Sequence, residues 1–279
     1  MAIQIRILKE REIIQAAKEL DKIYPQVVSL VIWRAWEVAA YRYYRLVEPV
    51  LDLACGDGRL FHFSWPKIRN VVGIDHDPVA CSNAQASGIY GEVHQVPAHQ
   101  LSFSDATFGS VFSNCALEHM DHIDQVLSEA FRVLKPGGLF LASVVTDKFV
   151  EWGMMPLMSK LYLAEGKGRS LWQDYVDYHQ LRNPFTQEEW VARLEKAGFS
   201  VQEQIPITPE PSGRIFMLFD ELWHVRLEDK VELSQKLHGY LASLPDFSSG
   251  FEDILRGLIK LSLNPTIGAG LVIAARKPG

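Results

Sequence analysis

From Val50 onward the apolar positions come in short unbroken runs, and between most of them lies a stretch with helical spacing. The runs are Val50 to Leu53, Asn70 to Ile74, Tyr90 to Val96, Phe108 to Ser113, Leu139 to Val145, Phe199 to Ile205 and Leu271 to Arg276. Unbroken Val, Ile and Leu suit parallel strands covered on both faces, rather than half-exposed strands that alternate apolar and polar. The intervening helices carry their own punctuation. Asp77 and Pro78 form an N-cap and first position, and Gly88 is a stop. Ile123 to Leu134 puts Val126, Leu127, Ala130 and Phe131 on one face and ends at Lys135-Pro136-Gly137-Gly138. Thr186 and Glu189 have capping-box spacing ahead of a helix that runs to Lys196. Alternating strands and helices predict an α/β, doubly wound, Rossmann-like seven-stranded sheet.

Helical segments flank this region. Ile13, Ile14, Ala17, Leu20 and Ile23 define one apolar face over residues 8–23, and Pro25 ends that helix. A second amphipathic helix is expected from Val28 to Leu46, with Arg34 and Glu37 one turn apart and placed to pair. Phe149 to Tyr178 is rich in Met and aromatics around Gly166-Lys167-Gly168, which suits either a helical pair on the core or an apolar pocket wall. About 60 residues separate the sixth and seventh runs, far more than an ordinary connection. The expected organisation is residues 1–46 as helices over the site, 47–207 and 269–279 as the core with 149–182 as a cap, and 208–268 as a helical insertion. That insertion reads first as a cap and second as the interface of a homodimer.

Charge and cysteine content narrow the partners. A net charge of −6 and a pI near 5.9, without a basic face, argue against nucleic acid. Three cysteines without CxxC spacing suit a reducing cytoplasm and imply no disulfide framework, zinc site or other metal. The first residues lack the apolar core of a signal peptide, and no run approaches the ~20 apolar residues of a membrane span. A cytoplasmic protein without a membrane span is expected.

Ligands of doubly wound sheets bind beyond the carboxyl ends of the strands. Asp52, Gly56, Asp75, Ala98 and Asn114 all fall at that edge. Asp75, at the end of the second strand, is placed to accept from both ribose hydroxyls. The turn Gly56-Asp57-Gly58 is followed by Phe61 where a dinucleotide fingerprint has its third glycine, and Asp57 would oppose a pyrophosphate. No Gly-Lys-Ser/Thr follows, which removes a P-loop.

In Val50-Leu51-Asp52-Leu53-Ala54-Cys55-Gly56-Asp57-Gly58, Val72-Gly73-Ile74-Asp75, Phe108 to Asn114, Leu117-Glu118-His119 and Val133 to Gly138, the chain resembles class I S-adenosylmethionine-dependent methyltransferases of the small-molecule group. The resemblance covers roughly residues 47–145, and more loosely 183–204 and 270–277. It implies S-adenosylmethionine as cofactor and S-adenosylhomocysteine as product, and a last strand running antiparallel beside the sixth. Asp52, Ala54, Cys55, Gly56, Asp57 and Gly58 would carry the methionine part, and Asp75 with His76 the ribose. Pro97 and Ala98 would meet the adenine, and Asn114 with Cys115 the sulfonium region. Three positions depart from the pattern. Ala54 replaces the first glycine, Pro97 replaces an Asp that accepts from adenine, and Gly109 replaces an Asp of the fourth strand.

The reaction so implied is in-line methyl transfer to a small organic acceptor, aromatic or a natural-product intermediate. If a proton must leave the acceptor, His119 is the first candidate base and His179 the second. A helix-capping or structural role suits His119 equally. The alternatives are a catalytically silent S-adenosylmethionine-binding scaffold or a protein methyltransferase.

Overall fold

The structure is a computed structural model that describes residues 3–20, 23–24, 28–153, 173, 177–224, 233–262 and 266–279. Its strands are β1 (Gln4–Ile5), β2 (Val50–Leu53), β3 (Val71–Asp75), β4 (Glu92–Gln95), β5 (Phe108–Asn114), β6 (Leu134–Val145), β7 (Ser200–Ile207) and β8 (Gly270–Arg276). They form one sheet of order β1-β7-β8-β6-β5-β2-β3-β4. All seven expected strands are present, and β8 runs antiparallel to both β6 and β7. The expected count is one short. Gln4 and Ile5 add an eighth, edge strand parallel to β7, held by Arg6 N–H donating to the Gln204 carbonyl at 2.9 Å. Two exposed residues carry no alternation for a sequence reading to find.

The described helices are α1 (Glu10–Leu20), α2 (Val28–Tyr41), α3 (Arg59–Ser64), α4 (Pro78–Ser87), α5 (Ile123–Val133), α6 (Asp147–Glu151), α7 (Gln187–Lys196), α8 (Glu210–Trp223), α9 (Leu233–Ala242) and α10 (Phe247–Leu261). Caps fall where side-chain chemistry placed them. Asp77 accepts from Val79 N–H at 2.8 Å, and the Thr186–Glu189 capping box is complete. The expected stop at Lys135 to Gly138 differs in detail. Leu134 already pairs with Phe108, and Pro136 to Gly138 form a register shift inside β6, tied to the last strand by Gly137 N–H donating to the Lys277 carbonyl.

Two apolar cores sandwich the sheet. On one face Ile13, Leu20, Ile32 and Trp36 pack with Phe216, Leu255 and Ile259, so α1, α2, α8 and α10 share a core. On the other, Val126, Leu127, Trp190 and Leu194 of α5 and α7 cover Leu51, Val111, Phe140 and Ile273. β2 sits between β3 and β5, where the chain order reverses. That reversal opens a crevice at the carboxyl ends of β2 and β5. The methionine- and aromatic-rich stretch from Met154 to Trp172, with Gly166-Lys167-Gly168, lies outside the described residues.

Candidate active site

β2 ends in a turn that reverses the chain through three positive-φ positions: Ala54 at 62°, Gly56 at 56° and Gly58 at 76°. The two glycines serve different purposes. A Cβ on Gly56 would meet nothing within 4 Å, so this part of the turn faces open space. A Cβ on Gly58 would lie 2.5 Å from the Tyr90 ring, so this position admits an aromatic neighbour rather than a ligand. Tyr90 in turn donates to Asp52 Oδ2 at 2.6 Å. Burial raises the Asp52 carboxyl to about 7, with the Tyr90 bond opposing that rise and the Asp75 charge adding to it.

At the tip of β3, Asp75 braces the turn. Its Oδ2 accepts from Gly56 N–H at 3.1 Å and its Oδ1 from Asp77 N–H at 3.0 Å. Each oxygen keeps a lone pair for a further donor. Past it opens a cavity of ≈ 450 Å³, within the range of small-molecule sites. Ala54, Asp75, His76, Pro97, Ala98, Asn114, Cys115 and His119 of the expected set line it. Asp52, Cys55, Gly56, Asp57 and Gly58 stand behind that wall as the turn itself. Asp57 bonds Arg59.

His119 sits in a 3₁₀ turn (Leu117–His119) just after β5. Desolvation lowers its pKa from the ordinary histidine value, against a backbone hydrogen bond to Gln180 that raises it. It is therefore a neutral imidazole near pH 7. His179 lies outside the cavity wall and against Asp220 of α8, with Nε2 3.3 Å from Oδ2.

The sequence reading missed a polar cluster beneath Asn114 and Cys115. Trp33, Glu37 and Tyr41 share one face of α2, spaced i, i+4, i+8. Glu37 Oε1 accepts from Ser143 Oγ at 2.5 Å, Cys115 Sγ at 2.9 Å and Trp33 Nε1 at 3.0 Å. Its Oε2 pairs with Arg34 at 2.5 Å, as the spacing suggested. Tyr41 OH donates to Asn114 Oδ1. The α2 face thus fixes Asn114 and Cys115, which line the cavity. Beside it Glu118 is fully buried, and desolvation raises its carboxyl to about 8. The i, i+4, i+8 spacing was visible in the sequence; its partners on β5 and β6 were not.

A family model described as "Methyltransferase domain" matches residues 51–142. That span holds β2 through most of β6, the part of the sheet that bounds the cavity. A ubiquinone/menaquinone biosynthesis C-methyltransferase of Bartonella bacilliformis is 35% identical over 49% of this chain and 55% of its own length. A demethylmenaquinone methyltransferase of Symbiobacterium thermophilum is 30% identical over 51% and 62%. The chain therefore spans a little over half the length of these curated relatives. Among solved structures, a chain of the complex between the Haloferax volcanii Trm112 methyltransferase activator and a methyltransferase shares the fold, with a TM-score of 0.54, 18% identity and 95% coverage of both chains. Residues 51–142 thus match a methyltransferase domain.

Proposed function

We propose that the protein transfers a methyl group from S-adenosylmethionine to a small organic acceptor. One observation carries this reading. Asp75, which braces the Gly56 turn, and Ala54 of the same turn line one cavity with the imidazole of His119.

The residues present fit the cofactor. Asp75 keeps acceptor capacity for ribose hydroxyls, and the absence of any neighbour within 4 Å of a Cβ at Gly56 leaves that side of the turn open to approach. Val96, Pro97 and Ala98 form an apolar wall for a flat ring, with the Ala98 N–H as a donor to a ring nitrogen and no carboxylate to accept from the amino group. When bound, S-adenosylmethionine supplies a methyl group on a cationic sulfonium, open to displacement in line. The protein's own contribution is orientation and exclusion of water. Tyr41 holds Asn114, and Glu37 holds Cys115, on the wall beside that centre. A ring nitrogen of His119 accepts the proton that an acceptor hydroxyl or acidic C–H must lose. The curated relatives are named for methylation in quinone biosynthesis, which supports an aromatic acceptor.

The test is transfer of labelled methyl to phenolic and quinol acceptors by the wild type and His119→Ala. The variant should lose ~10²–10⁴-fold in kcat and keep its S-adenosylhomocysteine affinity within a few-fold. Wild-type turnover should fall only below the ordinary histidine pKa, because burial lowers the pH at which the base is lost. Unchanged turnover in a folded variant contradicts the role of His119. Cofactor binding with no transfer to any acceptor favours a silent binding protein.

A further inference from the structure

Outside the cavity, a second group of ligating side chains comes together from distant parts of the chain. Asp220 and His224 are i, i+4 neighbours at the end of α8, and His179 approaches from the segment that precedes α7. His179 Nε2 lies 3.3 Å from Asp220 Oδ2, and His224 Nε2 lies 3.9 Å from Asp220 Oδ1. One donor atom from each of the three falls within 4.8 Å of the others. Asp220 is 7% exposed. We propose that His179, Asp220 and His224 form a binding site for one divalent transition-metal ion of the zinc class.

The donor chemistry and dimensions suit that ion. Two imidazoles and one carboxylate, the donors found among the described residues, select borderline metals. Bonds of ~2.0–2.1 Å in a tetrahedron put neighbouring donors about 3.3 Å apart, the separation already present between His179 and Asp220. Aromatic rings enclose the group, with Tyr178 4.5 Å from the His224 ring centroid and Phe149 5.8 Å from that of His179.

The site also joins two parts of the molecule. Gln180 and Arg182, just after His179, line the cavity, and the N–H groups of Arg182 and Asn183 donate to the Glu118 carbonyl at 2.8 and 2.9 Å. An ion on the three side chains clips this piece of cavity wall to the insertion. His179 then acts as a metal donor rather than the base its sequence position suggested.

Zinc(II) and cobalt(II) are the probes, titrated into chelator-treated full-length protein by calorimetry and visible absorption. The expected result is one equivalent per chain, with affinity at least ~10-fold weaker in both Asp220→Asn and His224→Gln. Cobalt absorption should fall in parallel, and His238→Gln, a solvent-exposed control on α9, should match the wild type. Cofactor-product binding by each variant checks that it is folded. Less than one equivalent in the wild type, or wild-type affinity in both folded variants, overturns the proposal.

Discussion

Glu118 is a fully buried acid within the 3₁₀ turn, with Oε1 3.9 Å from His119 Nε2. Desolvation, with the charge of Glu37 adding to it, raises the group from 4.5 to about 8. A buried acid of this kind holds its proton in the fold and loses it in the unfolded chain. Its contribution to stability is therefore fully present below pH 4.5 and declines as pH rises towards 8. Glu118→Gln removes that titration. Relative to wild type, the variant should gain ~1 kcal/mol or more in unfolding free energy between pH 5 and pH 8, measured by urea denaturation at both values. Parallel pH dependences in the two proteins would show that Glu118 is ionised in the fold. The Asp52 carboxyl, raised to about 7, titrates the same way in both and cancels from the comparison.

At the scale of elements, strand, turn and α3 act as one unit. Ala54 holds φ at 62°, where a Cβ is unfavourable by roughly 1–2 kcal/mol. Glycine there relieves the strain but frees the unfolded chain, a loss of ~0.4–1 kcal/mol. Ala54→Gly should therefore be neutral to stabilising by up to ~1 kcal/mol, whereas the β-branched Ala54→Val should destabilise by at least ~1 kcal/mol. Thermal melts check both. A destabilised Ala54→Gly together with a tolerated Ala54→Val would rule out strain at this turn. The unit was legible because its signals are local: an apolar run, small residues and a helix start within a dozen positions. Tyr90 was not, since its contact with Gly58 and Asp52 crosses from the far side of β3 and leaves no spacing pattern.

For the whole molecule, the apolar runs were enough to read seven strands and the carboxyl edge where the cavity opens. β1 escaped because two exposed residues carry no period, and the Glu37 cluster because its partners meet only when α2 lies across β5 and β6. His179, Asp220 and His224 escaped for the same reason, with one donor far from the helix that carries the other two. Three described helices, α8 to α10, occupy the expected insertion, and among the described residues no helix is long and apolar enough to cross a membrane. These outer elements pack on a sheet whose centre is the β2–β5 crevice, the proposed seat of the cofactor. Calorimetric titration of S-adenosylhomocysteine into the wild type and Asp75→Ala tests it most directly. One site per chain is predicted in the wild type, weakened by at least ~10-fold, about 1.4 kcal/mol, when the Asp75 carboxylate proposed to hold the ribose is removed. Folded wild-type protein that binds no S-adenosylhomocysteine, or an Asp75→Ala variant that binds it equally well, would contradict the assignment of the crevice as the cofactor site.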